Sequence, residues 1–151
     1  MNVGELCGPR VFTVREFDEL STAARLMRER HVGYLVVVEP LPLNALVRPV
    51  GVITDRDIVV SVVAKDQELR ALRVGDVMTR QPVVVSEDAS IEQALQKMRA
   101  IGIRRIPVVG GAGQLLGVIS LDDILDALSK QLADVSGSMS AGRRLEGALR
   151  P

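Results

Sequence analysis

The chain has 151 residues, and its nineteen basic and nineteen acidic side chains cancel to zero formal charge. That balance excludes a strong overall attraction to DNA, RNA or anionic lipid, and 2% aromatic content excludes the exposed rings on which single-stranded bases stack. A single cysteine, Cys7, excludes an intrachain disulfide and a cysteine-cluster metal site, and the short apolar runs exclude a spanning helix. No basic stretch leads into an apolar one behind Met1, so no signal peptide is expected and the cytoplasm is the default compartment.

Along the chain, a short strand near Val11–Val14 precedes a helix whose apolar stripe is Leu20, Ala23, Ala24 and Met27. A strand at Leu35–Val38 follows, and a connection carrying three prolines leads to a strand ending at Ile53. The next segment, Ile58 to Val63, is rich in β-branched residues and reads locally as a strand. The same order then returns: a strand at Val83–Val85, a helix with stripe Ile91, Ala94, Leu95 and Met98, and a strand at Ile106–Val109. Ser90 and Gln93 are spaced as a capping box for that helix. A strand ending at Ile119 leads into a last helix, marked by Ile124, Leu125, Leu128 and Leu132. From Asp134 the glycines and serines give poor helical propensity, and a frayed or partner-dependent tail is expected.

The order is a repeat. Residue n matches residue n+71 through Val3/Val74, Gly4/Gly75, Met27-Arg28/Met98-Arg99 and Val37-Val38/Val108-Val109. Thereafter the offset drops to 66, which superposes Gly51-Val52-Ile53-Thr54-Asp55-Arg56-Asp57 on Gly117-Val118-Ile119-Ser120-Leu121-Asp122-Asp123. The five extra residues of the first copy fall in the Glu39–Val50 connection, where a repeat tolerates length differences. By this repeat the segment at Ile58–Val63 is predicted helical, against its local propensity. The expected organisation is a first repeat at 1–68, a second at 69–132 and a tail at 133–151. The fold class is α/β (α+β), two β-α-β-β-α units covering one another's apolar faces.

At these residues the chain resembles a tandem CBS domain pair, or Bateman module, over roughly residues 3–132. The marks are the doubled element order, Asp76-Val77-Met78-Thr79, Gly102-Ile103-Arg104-Arg105-Ile106-Pro107-Val108-Val109, and both Gly-Val-Ile-Thr/Ser motifs. The first copy departs in two places: Glu5-Leu6-Cys7-Gly8 replaces Asp-Val-Met-Thr, and Tyr34-Leu35-Val36 stands where the second copy has Arg105-Ile106-Pro107. The resemblance implies pseudo-twofold packing with two clefts for adenosine-containing ligands such as AMP, ADP, ATP or S-adenosylmethionine. It also implies a disc-shaped homodimer and no catalysis of its own.

The chemistry of the corners agrees with that implication. A carboxylate at Asp57 or Asp123 suits the vicinal hydroxyls of a ribose, and Thr54 or Ser120 suits a phosphate oxygen. By resemblance, the ribose role goes to both aspartates and the phosphate role to both hydroxyls. Capping of the following helix explains the same residues, and the two roles are compatible. Arg104 and Arg105 are phosphate partners near Ser120, with strand alternation sending one of them into the cleft. Val83, Val85, Ile103 and Pro107 form an adenine slot or simply pack in the core. Arg56 is ligating or solvated, and Tyr34 stacks on a ligand or packs at a surface. His31 lacks a second histidine, so no metal is expected. Gly110-Gly111-Ala112-Gly113 lacks the Walker lysine and reads as a hairpin connection.

The expected function is therefore a regulatory module binding adenosine-containing nucleotides, transmitting its state to a regulated protein, and working as a homodimer. The alternative is a ligand-independent homodimerisation or partner-binding module. Enzymatic activity, nucleic-acid binding and membrane association are not expected.

Overall fold

The computed structural model describes residues 1–42 and 45–149. The expected element order recurs in both halves. The first half runs β1 (Thr13–Arg15), α2 (Leu20–Arg30), β2 (Tyr34–Pro40), β3 (Val47–Thr54) and α3 (Asp55–Ile58), after a short α1 (Val3–Leu6). The second runs α4 (Val74–Val77), β4 (Thr79–Arg80), β5 (Val85–Ser86), α5 (Ile91–Ile101), β6 (Arg105–Val109), β7 (Leu115–Ser120) and α6 (Leu121–Leu149). Each half has a parallel pair, β1 with β2 or β5 with β6, joined to an antiparallel one, β2 with β3 or β6 with β7. Each long helix lays its apolar stripe on its own sheet. Leu20, Ala23 and Met27 enter one core, and Ile91, Ala94 and Met98 enter the other.

Local chemistry accounts for the element ends. The Ser90 hydroxyl accepts the Gln93 amide at 3.2 Å while the Gln93 side chain accepts the Ser90 amide at 2.9 Å, the capping box expected from sequence. The prolines between β2 and β3 do not make the whole connection a loop. Glu39 pairs with Arg48 and Pro40 with Val47, so the extra residues of the first copy lengthen its hairpin; Leu43 and Asn44 lie outside the described residues.

The β-branched run after α3 is helical, as the repeat requires, but it is a π-helix at Val59–Val63. Consecutive branched side chains crowd a 3.6-residue turn, and here the backbone widens, with the Ala64 amide reaching the Val59 carbonyl at 2.9 Å. The segment from Asp134 differs from the sequence expectation. α6 continues unbroken to Leu149, with every residue from Leu132 to Leu149 exposed. Ser136, Gly137, Ser138 and Gly142 only weaken a helix; they do not terminate it.

The two halves hold together by exchanging their leading segments. Val3, at the start of the first repeat, is buried in the second core beside Val85 and Ile119, and Val74 and Met78, at the start of the second, are buried in the first. The Gly4 amide donates to the Glu87 carbonyl at 2.8 Å, and the Gly75 amide to the Glu16 carbonyl at 2.9 Å. β4 adds itself to the first repeat's sheet through Gly51–Arg80 and Val52–Thr79, and Gly8 bridges Val118 of the second.

The crossings explain the glycine that opens each repeated motif. A Cβ on Gly117 would stand 2.5 Å from the Gly8 carbonyl oxygen, and one on Gly51 would stand 2.9 Å from the Met78 sulfur and the Thr79 carbonyl. We expect Gly117→Ala to destabilise the chain by about 1–3 kcal/mol in urea unfolding, because backbone must give way. Gly111→Ala, with nothing within 4 Å of its Cβ, should stay within about 0.5 kcal/mol of the parent.

A cleft assembled from both repeats

The exchange decides which residues meet. A cleft of about 680 Å³ lies between the halves. Thr54, Asp55, Arg56 and Asp57 of the first repeat form one wall, and Val83, Ile103, Arg104, Arg105 and Pro107 of the second form the other. Sequence reasoning grouped the second repeat's slot with its own Ser120 and Asp123. The structure brings that slot to Thr54 and Asp57 instead, since β4 carries Gln81, Pro82 and Val83 across β3. Val52, Thr79, Gln81 and Pro82 were missed for the same reason, because superposing the repeats aligns equivalent residues without revealing which copies face each other.

At the first corner the Thr54 amide donates to Asp57 Oδ2 at 2.9 Å, and the Asp57 amide donates to Thr54 Oγ1 at 3.1 Å. This is a capping box, so the capping reading holds. It leaves Asp57 Oδ1 without a bond and the Thr54 hydroxyl without an acceptor among the described residues.

The second corner has the same frame but is more closed. The Ser120 hydroxyl and amide both donate to Asp123 Oδ2, at 2.7 and 2.8 Å, while the Asp123 amide donates to Ser120 Oγ at 3.0 Å. Ser120 borders a separate pocket of about 300 Å³ with Arg104, Arg105 and Asp122. Asp123 lies instead on the side of Met1, Leu6 and Asp126.

Val85 is 1% exposed in the second core, beside Ile91 and Ile119, and its side chain does not line the cleft. It belongs to β5, whose alternate residue, Ser86, takes the outward position. Both arginines border the cleft, against the expectation of one. Arg104 precedes β6, so the alternation that would part the pair does not yet apply. Arg104 makes an exposed ion pair with Asp122 at 3.7 Å. The Arg105 guanidinium lies 5.7 Å from the centre of the Tyr34 ring.

Tyr34 and Arg105 are equivalent positions of the two repeats, and they meet at the junction of this cleft with its smaller counterpart. That second cleft, about 250 Å³, is lined by Arg10, Val11, Phe12, His31, Tyr34 and Arg105 among others. The Tyr34 hydroxyl is buried with no hydrogen-bond partner among the described residues. Burial holds its ionisation well above the ordinary tyrosine range, only partly opposed by Arg105. Cys7 is half-buried, and desolvation, then Glu87 and Asp123, push its thiol upward, so it is a poor nucleophile. Among the described residues no three His, Cys, Asp or Glu side chains gather into a group able to hold a metal ion.

We expect Tyr34→Phe to keep the stability of the free chain or raise it by up to about 1 kcal/mol, since it deletes a buried unpaired hydroxyl. The unfolded tyrosine ionises first, so the parent chain loses stability as pH rises past the ordinary tyrosine range. Urea unfolding against pH should show a shallower alkaline loss in Tyr34→Phe.

Comparison with known proteins agrees with this architecture. The CBS domain family model matches residues 3–64 and again 74–130. An uncharacterised protein of Methanopyrus kandleri is 31% identical over 139 residues, covering 92% of this chain and 68% of that protein. The hexameric CBS-CP12 protein from bloom-forming cyanobacteria aligns with a TM-score of 0.71 and 26% identity, covering 98% of this chain and 87% of that one. The CBS domain pair of protein MJ0100, solved with 5′-methylthioadenosine and S-adenosyl-L-methionine, aligns with a TM-score of 0.72 and 21% identity, over 87% and 98% of the two chains; this is a likeness of fold. No helix among the described residues is long and apolar enough to cross a membrane. CBS domains are characteristically non-catalytic. Two copies of one motif exchange their leading segments around a shared cleft, and the chain belongs to the CBS-domain family as a tandem pair, a Bateman module.

Proposed function

We propose that this chain is a regulatory module that binds an adenosine-containing ligand in the larger cleft between its repeats. One observation carries the reading. A carboxylate with a free oxygen, a hydroxyl with a free proton, two guanidinium groups and an apolar slot converge on about 680 Å³, within the range of small-molecule sites. Asp57 is aimed to accept from ribose hydroxyls through Oδ1, because Oδ2 is held by the Thr54 amide. The Thr54 hydroxyl, Arg104 and Arg105 supply donors to phosphate oxygens or another polar group at the 5′ position. Val83, Ile103 and Pro107 flank the base. The same fold accommodates adenosine-containing ligands in the MJ0100 pair.

Ser120 and Asp123 are secondary in this reading, since their hydrogen bonds close on each other. A ligand in the larger cleft touches both repeats, so it favours one relative arrangement of them over others. That differential affinity is how such a module signals to a regulated protein.

A second reading, an association module, is supported by apolar side chains left open on both final helices. Val59 and Val63 are 55% and 65% exposed, and Leu125 and Leu132 are 61% and 71% exposed. The hexamer of the cyanobacterial CBS-CP12 protein shows that a similar chain assembles. Regulation and homodimerisation are compatible.

Calorimetry on ligand-stripped protein tests the first reading against AMP, ADP, ATP and S-adenosylmethionine. Saturable binding of at least one is expected, and none across the panel would overturn it. Asp57→Ala should weaken that ligand by about 1.5–3 kcal/mol, whereas Asp123→Ala should change it by less than about 0.5 kcal/mol.

A further inference from the structure

We propose that α6 is a self-association arm that pairs antiparallel with α6 of a second copy of this chain. Leu121, Leu125, Leu128, Leu132, Val135 and Met139 follow one another at alternating spacings of four and three residues, the seam of a coiled coil. Every one of them is exposed. The body of the molecule occupies a different side of the helix. Ile124 is buried in the second core, Gln131 reaches the Met1 sulfur at 3.8 Å, and Ala127 and Asp134 border the groove beside Met1. At 100° per residue those contacts centre more than a right angle away from the seam, which therefore faces outward.

The segment beyond the body cannot sustain itself as a helix by propensity. Residues 133–149 include Gly137, Gly142 and Gly147, and a short solvated helix with such breakers is marginal in water. An amphipathic partner face supplies the missing stabilisation.

Charge selects the partner and its direction. The first half of α6 carries Asp122, Asp123, Asp126 and Asp134 against one lysine, Lys130, while its end carries Arg143 and Arg144 against Glu146. Parallel pairing stacks acid on acid and base on base. Antiparallel pairing about the Leu132–Val135 layer brings Arg143 beside Asp122 of the second copy, with Ser129 opposite Ser136 and Gln131 opposite Ser138 as small or neutral flanks. The opposed helix dipoles favour the same direction. The pairing rests on the association reading, to which it gives a surface and a direction; it requires no ligand in the cleft and stands apart from the nucleotide reading.

Sedimentation velocity of the full chain at tens of micromolar is the first test, and a dimer is expected. Leu132→Glu/Met139→Glu should weaken it at least about a hundredfold. Both side chains are exposed, so the thermal unfolding of the body should be unchanged. Direction is read from a spin label at Ala148→Cys in a Cys7→Ser background by double electron–electron resonance. Antiparallel helices place the two labels about 40 Å apart or more, and parallel helices place them within about 20 Å. A monomeric parent, a dimer indifferent to Leu132→Glu/Met139→Glu, or a short label distance would each overturn the proposal.

Discussion

Everything else in the molecule depends on the exchange of leading segments between the repeats. Neither half closes its core alone: the second needs Val3, and the first needs Val74 and Met78. Each arm is held by a backbone hydrogen bond from an equivalent glycine, Gly4 to Glu87 and Gly75 to Glu16. Two weakly cored halves are thereby made into one cooperative unit, because unfolding either strips a buried strip of apolar surface from the other. The arms cross the opposite repeat where a side chain on Gly51 or Gly117 would meet backbone.

The same exchange determines what a ligand would encounter. By carrying Gln81 to Val83 across β3, the second arm sets an apolar slot opposite the first repeat's Thr54 and Asp57. A ligand in the cleft would therefore touch both repeats, where one in a pocket inside a single repeat would touch only that repeat. Its counterpart is smaller, and the arginine at the position equivalent to Tyr34 borders both. The two clefts, of about 680 and 250 Å³, share Tyr34 and Arg105 and differ in their other walls: Thr54 to Asp57 face Val83, Ile103 and Pro107 in the larger, while Arg10, Val11, Phe12 and His31 line the smaller.

Much of this architecture is legible in the amino-acid sequence. Apolar periodicity placed α2 and α5, the Ser90–Gln93 spacing identified a cap, and the repeat overruled the strand-like run at Ile58–Val63. The π-helix there was not legible, since crowding of branched residues acts on the backbone only once the helix is imposed. The length of α6 was misread because weak propensity was taken as a stop, when no proline or other hard terminator lies between Leu132 and Leu149. The lining of the candidate cleft was legible in part as a set of residues but not as a grouping. Thr54, Asp57, Ile103, both arginines and Pro107 do meet, yet Val85 packs inward and Asp123 lies elsewhere. Pairing between repeats is a tertiary fact, to which internal alignment is blind. The glycines at 51 and 117 were its one trace in the sequence.

In the proposed function one ligand is gripped by both repeats at once. A ¹H–¹⁵N correlation titration of the isotopically labelled chain with AMP reads this directly, amide by amide. The expected result is concerted saturation of shifts at Thr54 to Asp57 and at Ile103 to Ile106, with Ser120 to Asp123 little changed. Shifts confined to one repeat, or centred on Ser120 to Asp123 while Thr54 to Asp57 stay still, would contradict it.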